Sequence, residues 1–165
     1  MGETALVSSL GPILAISGAA VAVILAGIGS CIGVAKAGTT GAGVLSEKPE
    51  AFGKILMLAI LPGTKALYGI IVAFLVLYFF DVSSFTTNLG LQIFVACLPL
   101  AIMSVVSAIY QGKVASAGMG IIAKNPAGGG RAIILAVLME IFALLGFLAT
   151  FFMLNSIGIA INATA

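Results

Sequence analysis

One acidic residue, Glu140, stands inside a long apolar run and is the side chain of this sequence best suited to chemistry. It lies nine positions past Arg131, and the rise of an α-helix converts that separation to about 14 Å. This depth is close to the middle of a membrane core about 30 Å thick. A carboxylate there costs at least about 3 kcal/mol unless it is protonated, paired or bound to an ion. We therefore expect Glu140 to mark a functional site. The alternative is a protonated glutamate that only joins two helices.

Polar groups in two other apolar runs are predicted at the same depth as Glu140. Gln111 can both donate a hydrogen bond to a carboxylate and accept one. Pro62 has no N–H and leaves a backbone carbonyl without its usual partner, so Pro62 and Gly63 predict a helix kink just before Thr64. Free carbonyls, a hydroxyl, an amide oxygen and a carboxylate together make an oxygen-rich site for a hard cation. Each residue alone has an ordinary structural explanation, and it is their common depth that indicates a site.

The composition limits the kind of protein that can hold these residues. Of the 165 residues, 62% are hydrophobic and 7% are charged, whereas an ordinary soluble domain carries about 25% charged residues. A soluble enzyme is therefore excluded. A net charge of +2 spread over an apolar chain also excludes a nucleic-acid-binding protein. The sequence has no histidine, and Cys31 and Cys97 lack the close spacing of a zinc or redox pair, so we expect no cofactor.

Four apolar runs are long enough to cross a membrane as helices. Short polar links join them, so consecutive helices are expected to be antiparallel neighbours. The sequence thus predicts an all-α membrane protein with a single membrane domain over residues 1–165. A first helical hairpin covers 11–81, and a second hairpin over 88–158 carries Glu140. The predicted helices are Gly11–Leu45, Ala51–Phe80, Leu89–Ala123 and Arg131–Ile157.

An internal repeat relates the two hairpins. When the chain is shifted by 77 residues, positions 36–75 align without a gap on 113–152 with twelve identities. Some identities are of lysine, proline or glycine, such as Pro49 with Pro126, and these are harder to obtain by chance in an apolar sequence. The repeat is parallel rather than inverted. It places Gly63 at the position equivalent to Glu140, so only the second hairpin carries the carboxylate.

Charge placement predicts the orientation of the bundle. Basic residues lie near the turns at 46–50 and 124–130, whereas the opposite end carries Glu3 and Asp81 and has no lysine or arginine. The positive-inside rule places both turns in the cytoplasm and both termini outside. The chain is accordingly expected to be an integral multi-pass protein of the cell membrane, surrounded by the lipid bilayer.

Three segments carry a resemblance to a known family. They are Ile-Leu-Pro-Gly-Thr at 60–64 with Ala-Leu-Tyr-Gly at 66–69, Gln-Gly-Lys-Val-Ala at 111–115, and Met-Glu-Ile-Phe-Ala-Leu-Leu-Gly-Phe at 139–147. The chain resembles the four-helix membrane-rotor subunit of bacterial and archaeal V-type ATPases, also called subunit K or proteolipid. The resemblance implies a homo-oligomeric ring that turns against a stationary membrane subunit and meets central-stalk subunits at the cytoplasmic turns. A soluble head hydrolyses the ATP in such a complex, so the chain is not expected to be an enzyme on its own.

The resemblance also implies an ion-binding site. In sodium-carrying members a Glu carboxylate, two Gln side chains, a Thr hydroxyl and a Leu carbonyl hold the ion. Four of these positions are matched here, by Glu140, Gln111, Thr64 and Leu61, but the second-helix Gln is replaced by Lys65. If Lys65 faces Glu140, its ammonium takes the place of a sodium ion, and H⁺ is favoured over Na⁺ as the transported ion. If Lys65 points away to another polar partner, a four-ligand sodium site is left.

Two other classes of protein share part of this pattern. A small multidrug/proton antiporter also combines four helices with one intramembrane glutamate. Such chains are shorter, carry the acid in the first helix and lack the duplicated hairpin. A structural or pore-forming four-helix membrane protein has no need of Glu140.

Overall fold

The structure is a computed structural model that describes the backbone of residues 2–164 and the side chains of residues 10–161. All regular elements within these residues are helices, in agreement with the predicted fold class. The α-helices are α1 (Gly2–Glu47), α2 (Phe52–Ile60), α3 (Thr64–Phe79), α4 (Thr87–Lys124), α5 (Gly129–Val137) and α6 (Glu140–Thr164). Short 3-10 turns lie at Pro49–Ala51, Leu61–Gly63, Val82–Ser84 and Pro126–Gly128.

Among the described residues, four helical segments are long and apolar enough to cross a membrane. The first span is α1 and the third is α4, whereas α2 with α3 forms the second span and α5 with α6 forms the fourth. Their bounds differ from the predicted helices by only a few residues at each end. They are Leu10–Glu47, Pro49–Phe79, Thr87–Lys124 and Pro126–Ile161.

In the fourth span the structure corrects the prediction of one continuous helix over residues 131–157. α5 ends at Val137, and α6 begins only at Glu140. Between them, the N–H of Met139 donates to the carbonyl of Ala136 at 3.2 Å, three residues back instead of the usual four. No proline or glycine lies at this break, so the local sequence carries no signal for it. In the second span, by contrast, a 3-10 turn, Leu61–Gly63, lies at the proline where the sequence predicts a kink.

The parallel helices α1 and α4 form the centre of the bundle, and their backbones touch. A Cβ added at Gly112 would come within 2.5 Å of the carbonyl oxygen of Gly33, and one added at Gly90 within 2.1 Å of the carbonyl oxygen of Gly11. The absence of side chains at these positions permits the close approach. The two contacts also show that residues separated by about one repeat length lie level with each other.

The second span packs mainly against one helix of this central pair, and the fourth span packs mainly against the other. α3 contacts α1 extensively and α6 contacts α4, whereas α3 and α6 contact each other only slightly. Two buried apolar clusters form, one toward the 80–86 link and one toward the turns at 46–50 and 124–130. Large apolar side chains cover the outward faces of the spans, as expected of helices that face lipid. They include Ile24, Phe74, Ile102 and Phe152.

Two lysines join the turns at the end of the bundle that carries most of the basic residues. Lys48 Nζ donates to the carbonyl of Ala123, near the C-terminus of α4. Lys54 Nζ donates to the carbonyl of Pro126 at 2.8 Å. Lys48 thus satisfies a carbonyl that the end of α4 leaves without a helical partner. The carbonyl of Pro126 also accepts a hydrogen bond from the N–H of Gly129.

Candidate functional site

The breaks in the second and fourth spans meet at the centre of the bundle. In the second span the turn Leu61–Gly63 separates α2 from α3, because Pro62 has no N–H with which to continue the α-helical ladder. In the fourth span Glu140 is the first residue of α6. The start of α3 and the start of α6 therefore carry their polar side chains to one place, beside α4.

Four donor groups surround the carboxylate of Glu140. Thr64 Oγ1 lies 2.9 Å and Tyr68 Oη 2.7 Å from Oε1. Gln111 Nε2 lies 3.1 Å from Oε2, which also accepts a charge-assisted hydrogen bond from Lys65 Nζ. An ionised carboxylate offers about four lone-pair sites. These contacts therefore match its full hydrogen-bonding capacity.

Lys65 is completely buried and directed at this carboxylate. Its Nζ also contacts Gln111 Oε1, and it lies 3.3 Å from Thr64 Oγ1. An ammonium has three N–H donors, and three oxygen acceptors surround it here. Of the two orientations that the sequence leaves open, the structure has the one in which Lys65 faces Glu140.

Gln111 is used at both ends of its side-chain amide. Nε2 donates to the carbonyl of Ala136 at 2.9 Å and to Glu140 at 3.1 Å, while Oε1 accepts from Lys65. Because one end has only acceptors around it and the other has a donor, the orientation of the amide is determined by its partners. Gln111 thereby binds the break in the fourth span, the carboxylate and the lysine together.

The structure brings most of the predicted site residues into this cluster. Leu61 reaches it only through Thr64, whose hydroxyl lies 2.9 Å from the Leu61 carbonyl oxygen as well as 2.9 Å from Glu140 Oε1. The Thr64 hydroxyl has one hydrogen, so these two acceptors share or alternate it. Pro62 and Gly63 form the turn that precedes Thr64 and do not contribute side-chain ligands.

Two residues of the site are missed by the sequence reasoning. Tyr68 follows Thr64 by four positions, and Ser107 precedes Gln111 by four. Residues four apart lie on the same face of a helix, so this spacing is the signal that could have found them. Ser107 Oγ donates to the carbonyl of Met139 at 2.6 Å.

The cluster holds a cation against a carboxylate in an apolar bundle. The opposite charges of Lys65 and Glu140 cancel, so each residue reduces the cost of burying the other. Lys65 is fully buried, whereas 16% of the Glu140 side-chain surface is exposed. Glu140 is therefore the member of the pair that a group outside this chain can reach. The oxygens of Glu140, Gln111 and Thr64 already surround a positive charge, that of the lysine.

Comparison with a model of a protein family finds two matches in the chain. The family is that of the ATP synthase C subunit, and the matched residues are 17–76 and 94–153. Both bounds of the second match lie 77 residues after those of the first, which is the offset of the internal repeat. The two hairpins are thus copies of one structural unit.

Comparison with individual proteins finds relatives along most of the chain. It is 42% identical over 142 residues to the V-type sodium ATPase subunit K of Enterococcus hirae, a match to 86% of this chain and 90% of that protein. It is 39% identical over 142 residues to the A-type ATP synthase subunit K of Methanocaldococcus jannaschii, with 86% of this chain and 62% of that protein covered. The resemblance inferred from the residues is confirmed.

Proposed function

This chain belongs to the ATP synthase C subunit family, and we propose that it is the ion-carrying member of a membrane rotor ring in a V-type ATPase or ATP synthase. Copies of the chain form a ring that turns against a stationary membrane subunit, and each copy carries one ion per passage at Glu140. The observation that carries this proposal is the Glu140 carboxylate itself, at the centre of a membrane bundle and within reach of four donor groups. The names of the relatives support the assignment to a rotary ATPase.

Within this proposal, H⁺ is the transported ion because of Lys65. Its Nζ contacts oxygen atoms of Glu140, Gln111 and Thr64, which are three of the groups that would bind sodium. A cation tethered to the same chain has a high effective concentration at these oxygens. A free sodium ion has to displace it, and the lysine offers no ligand oxygen in return.

The Lys65–Glu140 pair can carry one proton without burying a net charge. The pair holds this proton in one of two forms, either as an ammonium with a carboxylate or as an amine with a carboxylic acid. Both forms are neutral overall, so the pair can face lipid. Loss of the proton leaves an amine and a carboxylate with one negative charge. A negative site is expensive in lipid, so it has to form where polar or cationic groups of another subunit face Glu140.

Sodium is the second candidate, and the name of one relative favours it. The subunit K of Enterococcus hirae, matched over 90% of its length, is named as part of a sodium ATPase. In this alternative Lys65 turns away when the ion enters. The ligands are then Glu140, Gln111, Thr64 and the carbonyl of Leu61.

Carbodiimide labelling of Glu140 in the assembled complex distinguishes the two ions. The reagent modifies a protonated carboxyl group, and a bound sodium ion protects that group. We expect millimolar sodium at neutral pH to leave labelling of the unaltered protein unchanged, and alkaline pH to suppress it. In Lys65→Gln, which restores an amide oxygen, sodium should begin to protect Glu140.

The possible results test the identity of the ion separately from the rotor proposal. Sodium protection of the unaltered protein would establish sodium and refute the proton proposal. An unreactive Glu140, with labelling scattered over other carboxyl groups, would instead contradict the rotor proposal.

We further propose that the turns at 46–50 and 124–130 lie in the cytoplasm and meet the central stalk. In a Cys31→Ser background, Ser46→Cys and Ala127→Cys should react with a membrane-impermeant thiol reagent only from the cytoplasmic side once the soluble head is removed. Ser83→Cys, in the exposed link at the opposite end, should react only from outside. The reverse pattern would show that the bundle is inserted with the opposite orientation.

A further inference from the structure

A side chain outside every sequence motif holds the break at which α6 begins. Ser107 of α4 is buried, and its hydroxyl donates to the carbonyl of Met139 at 2.6 Å. Met139 is the residue immediately before Glu140. On the same face of α4, Gln111 donates to the carbonyl of Ala136 at 2.9 Å. Two side chains of α4 thus bind carbonyls at the break, one in the last turn of α5 and one directly before Glu140.

The fourth span needs such support because its own sequence does not maintain the break. The end of α5 leaves carbonyl groups without α-helical N–H partners, and lipid offers nothing to replace those partners. Gln111 binds one of these carbonyls, that of Ala136, whereas Ser107 binds the carbonyl of Met139 at the start of α6. The position of the break also determines where the carboxylate points. Each residue turns an α-helix by about 100°, so a break displaced by one residue would direct Glu140 away from Lys65.

The first hairpin has a serine at the equivalent place, which binds different backbone groups of the second span. Ser30 of α1 lies 77 residues before Ser107 and is its equivalent in the repeat. The N–H of Ala66 donates to Ser30 Oγ at 3.0 Å, and Ser30 Oγ lies 3.5 Å from the carbonyl oxygen of Gly63. In both halves a serine of the inner helix binds the interrupted backbone of the span packed against it. The recurrence indicates that the serine belongs to the architecture of the break.

We propose that Ser107 is a positioning residue for Glu140. Its hydroxyl holds the backbone between α5 and α6 and thereby keeps the carboxylate among its four donor groups. Ser107 acts through Met139 and does not touch the carboxylate or the ion. The inference rests on the proposed function only in taking Glu140 as the ion carrier.

The test compares Ser107→Ala with Ser104→Ala in rings of the complete ATPase. Ser104 is a buried serine of the same helix whose hydroxyl has no hydrogen-bond partner among the described residues. We expect Ser107→Ala to raise the rate of carbodiimide labelling at Glu140 about fivefold, the equivalent of one lost hydrogen bond. Ser104→Ala should leave that rate nearly unchanged. Ser107→Thr keeps the hydroxyl and should restore the rate of the unaltered protein. Hydrogen exchange should accelerate over residues 136–146 in Ser107→Ala and not in Ser104→Ala.

Two results would overturn the inference. One is an unchanged labelling rate in an assembled Ser107→Ala ring, and the other is an equal change in both alanine variants, which would indicate general packing. If Ser107→Ala does not assemble, Ser107→Cys replaces it in the same assay, because a thiol is similar in size but a weak donor. Neither readout requires ion transport. Retained transport in Glu140→Gln would refute the proposed function without altering the outcome for Ser107.

Discussion

The two hairpins share a repeat and a broken second helix, yet they contribute different chemistry to one site. The first hairpin supplies a cation and two hydroxyls, from Lys65, Thr64 and Tyr68. The second supplies a carboxylate and an amide, from Glu140 and Gln111. Neither half therefore contains a charge together with its partner, and each buried charge requires the other hairpin.

The repeat-equivalent positions show how complete this division is. Each of the five cluster residues corresponds to an apolar residue or a glycine in the other half. The counterparts of Glu140, Lys65, Gln111, Thr64 and Tyr68 are Gly63, Phe142, Val34, Ile141 and Leu145. What the two halves keep in common is the backbone break and its serine, Ser30 or Ser107. The repeated backbone therefore provides the position, whereas the unrepeated side chains provide one site per chain.

The largest effect is expected from removing the carboxylate of the second hairpin. Glu140→Gln keeps the shape of the side chain but cannot become an anion, and it replaces one acceptor oxygen by an N–H₂ donor. Ion uptake into vesicles that contain the altered ring should fall to background, and so should ion-coupled ATP hydrolysis, while the subunit still inserts and assembles. Asp81→Asn removes an exposed acid from the end of the first hairpin and serves as the control. Near-normal uptake in Glu140→Gln would show that Glu140 is not the ion carrier, and the breaks in the two hairpins would then not differ in function.

The second prediction concerns the two buried charges, one from each hairpin. Lys65→Met leaves a carboxylate without its ammonium, and Glu140→Gln leaves an ammonium without its carboxylate. Each change should lower the stability of the subunit by up to about 3–5 kcal/mol, whereas the double variant, which buries no charge, should lose less than either. Thermal unfolding of the assembled ring measures these differences. Additive losses would show that the charges do not depend on each other.

A smaller effect is expected where the hairpins touch through their backbones. Gly112→Ala would place a Cβ 2.5 Å from the carbonyl oxygen of Gly33, so α1 and α4 would have to separate. Overpacking of this kind costs about 1–3 kcal/mol. Gly120→Ala, on the same helix, adds its Cβ in open space and is the matched control. Equal unfolding temperatures for the two variants would contradict the close contact.

The smallest effect is expected from one hydroxyl of the first hairpin. Tyr68→Phe makes this position apolar, as its counterpart Leu145 is, and removes one donor from Glu140. A hydrogen bond to a charged group contributes about 1.5 kcal/mol, so the carbodiimide labelling rate at Glu140 should rise about tenfold. Tyr78→Phe alters an exposed tyrosine of the same helix and should have no effect. A Tyr68→Phe variant that behaves like Tyr78→Phe would remove Tyr68 from the site.

The spans and the principal residues of the cluster are predictable because the signals are local. Long apolar runs mark the membrane helices, Pro62 marks the first break, and the depth of Glu140 follows from helical rise. Gln111 and Thr64 can be placed at that depth by the same arithmetic, and the structure brings both to Glu140. Their role as ion ligands stays a prediction.

The remaining features depend on contacts between helices, which spacing along one helix does not determine. Ser107 and Gln111 of α4 bind carbonyls at the break around Leu138, and no proline or glycine lies at this break to predict it from the sequence. The sequence leaves the direction of Lys65 open because one residue of helix, about 100° of rotation, separates it from Thr64. The acceptors on Gln111 and Glu140 settle that direction in the folded chain.

The backbone contact between α1 and α4 has a mechanical consequence. Side chains yield under load by changing rotamer, but Gly33 against Gly112 and Gly11 against Gly90 leave no side chain between the helices to yield. At these two levels the distance between α1 and α4 is therefore set by backbone atoms, which have no rotamers to change. We expect the inner pair to transmit a twisting force from the turns to the level of Glu140 with little deformation. In the proposed rotor, compliance would then lie in the parts that join the ring to its neighbours.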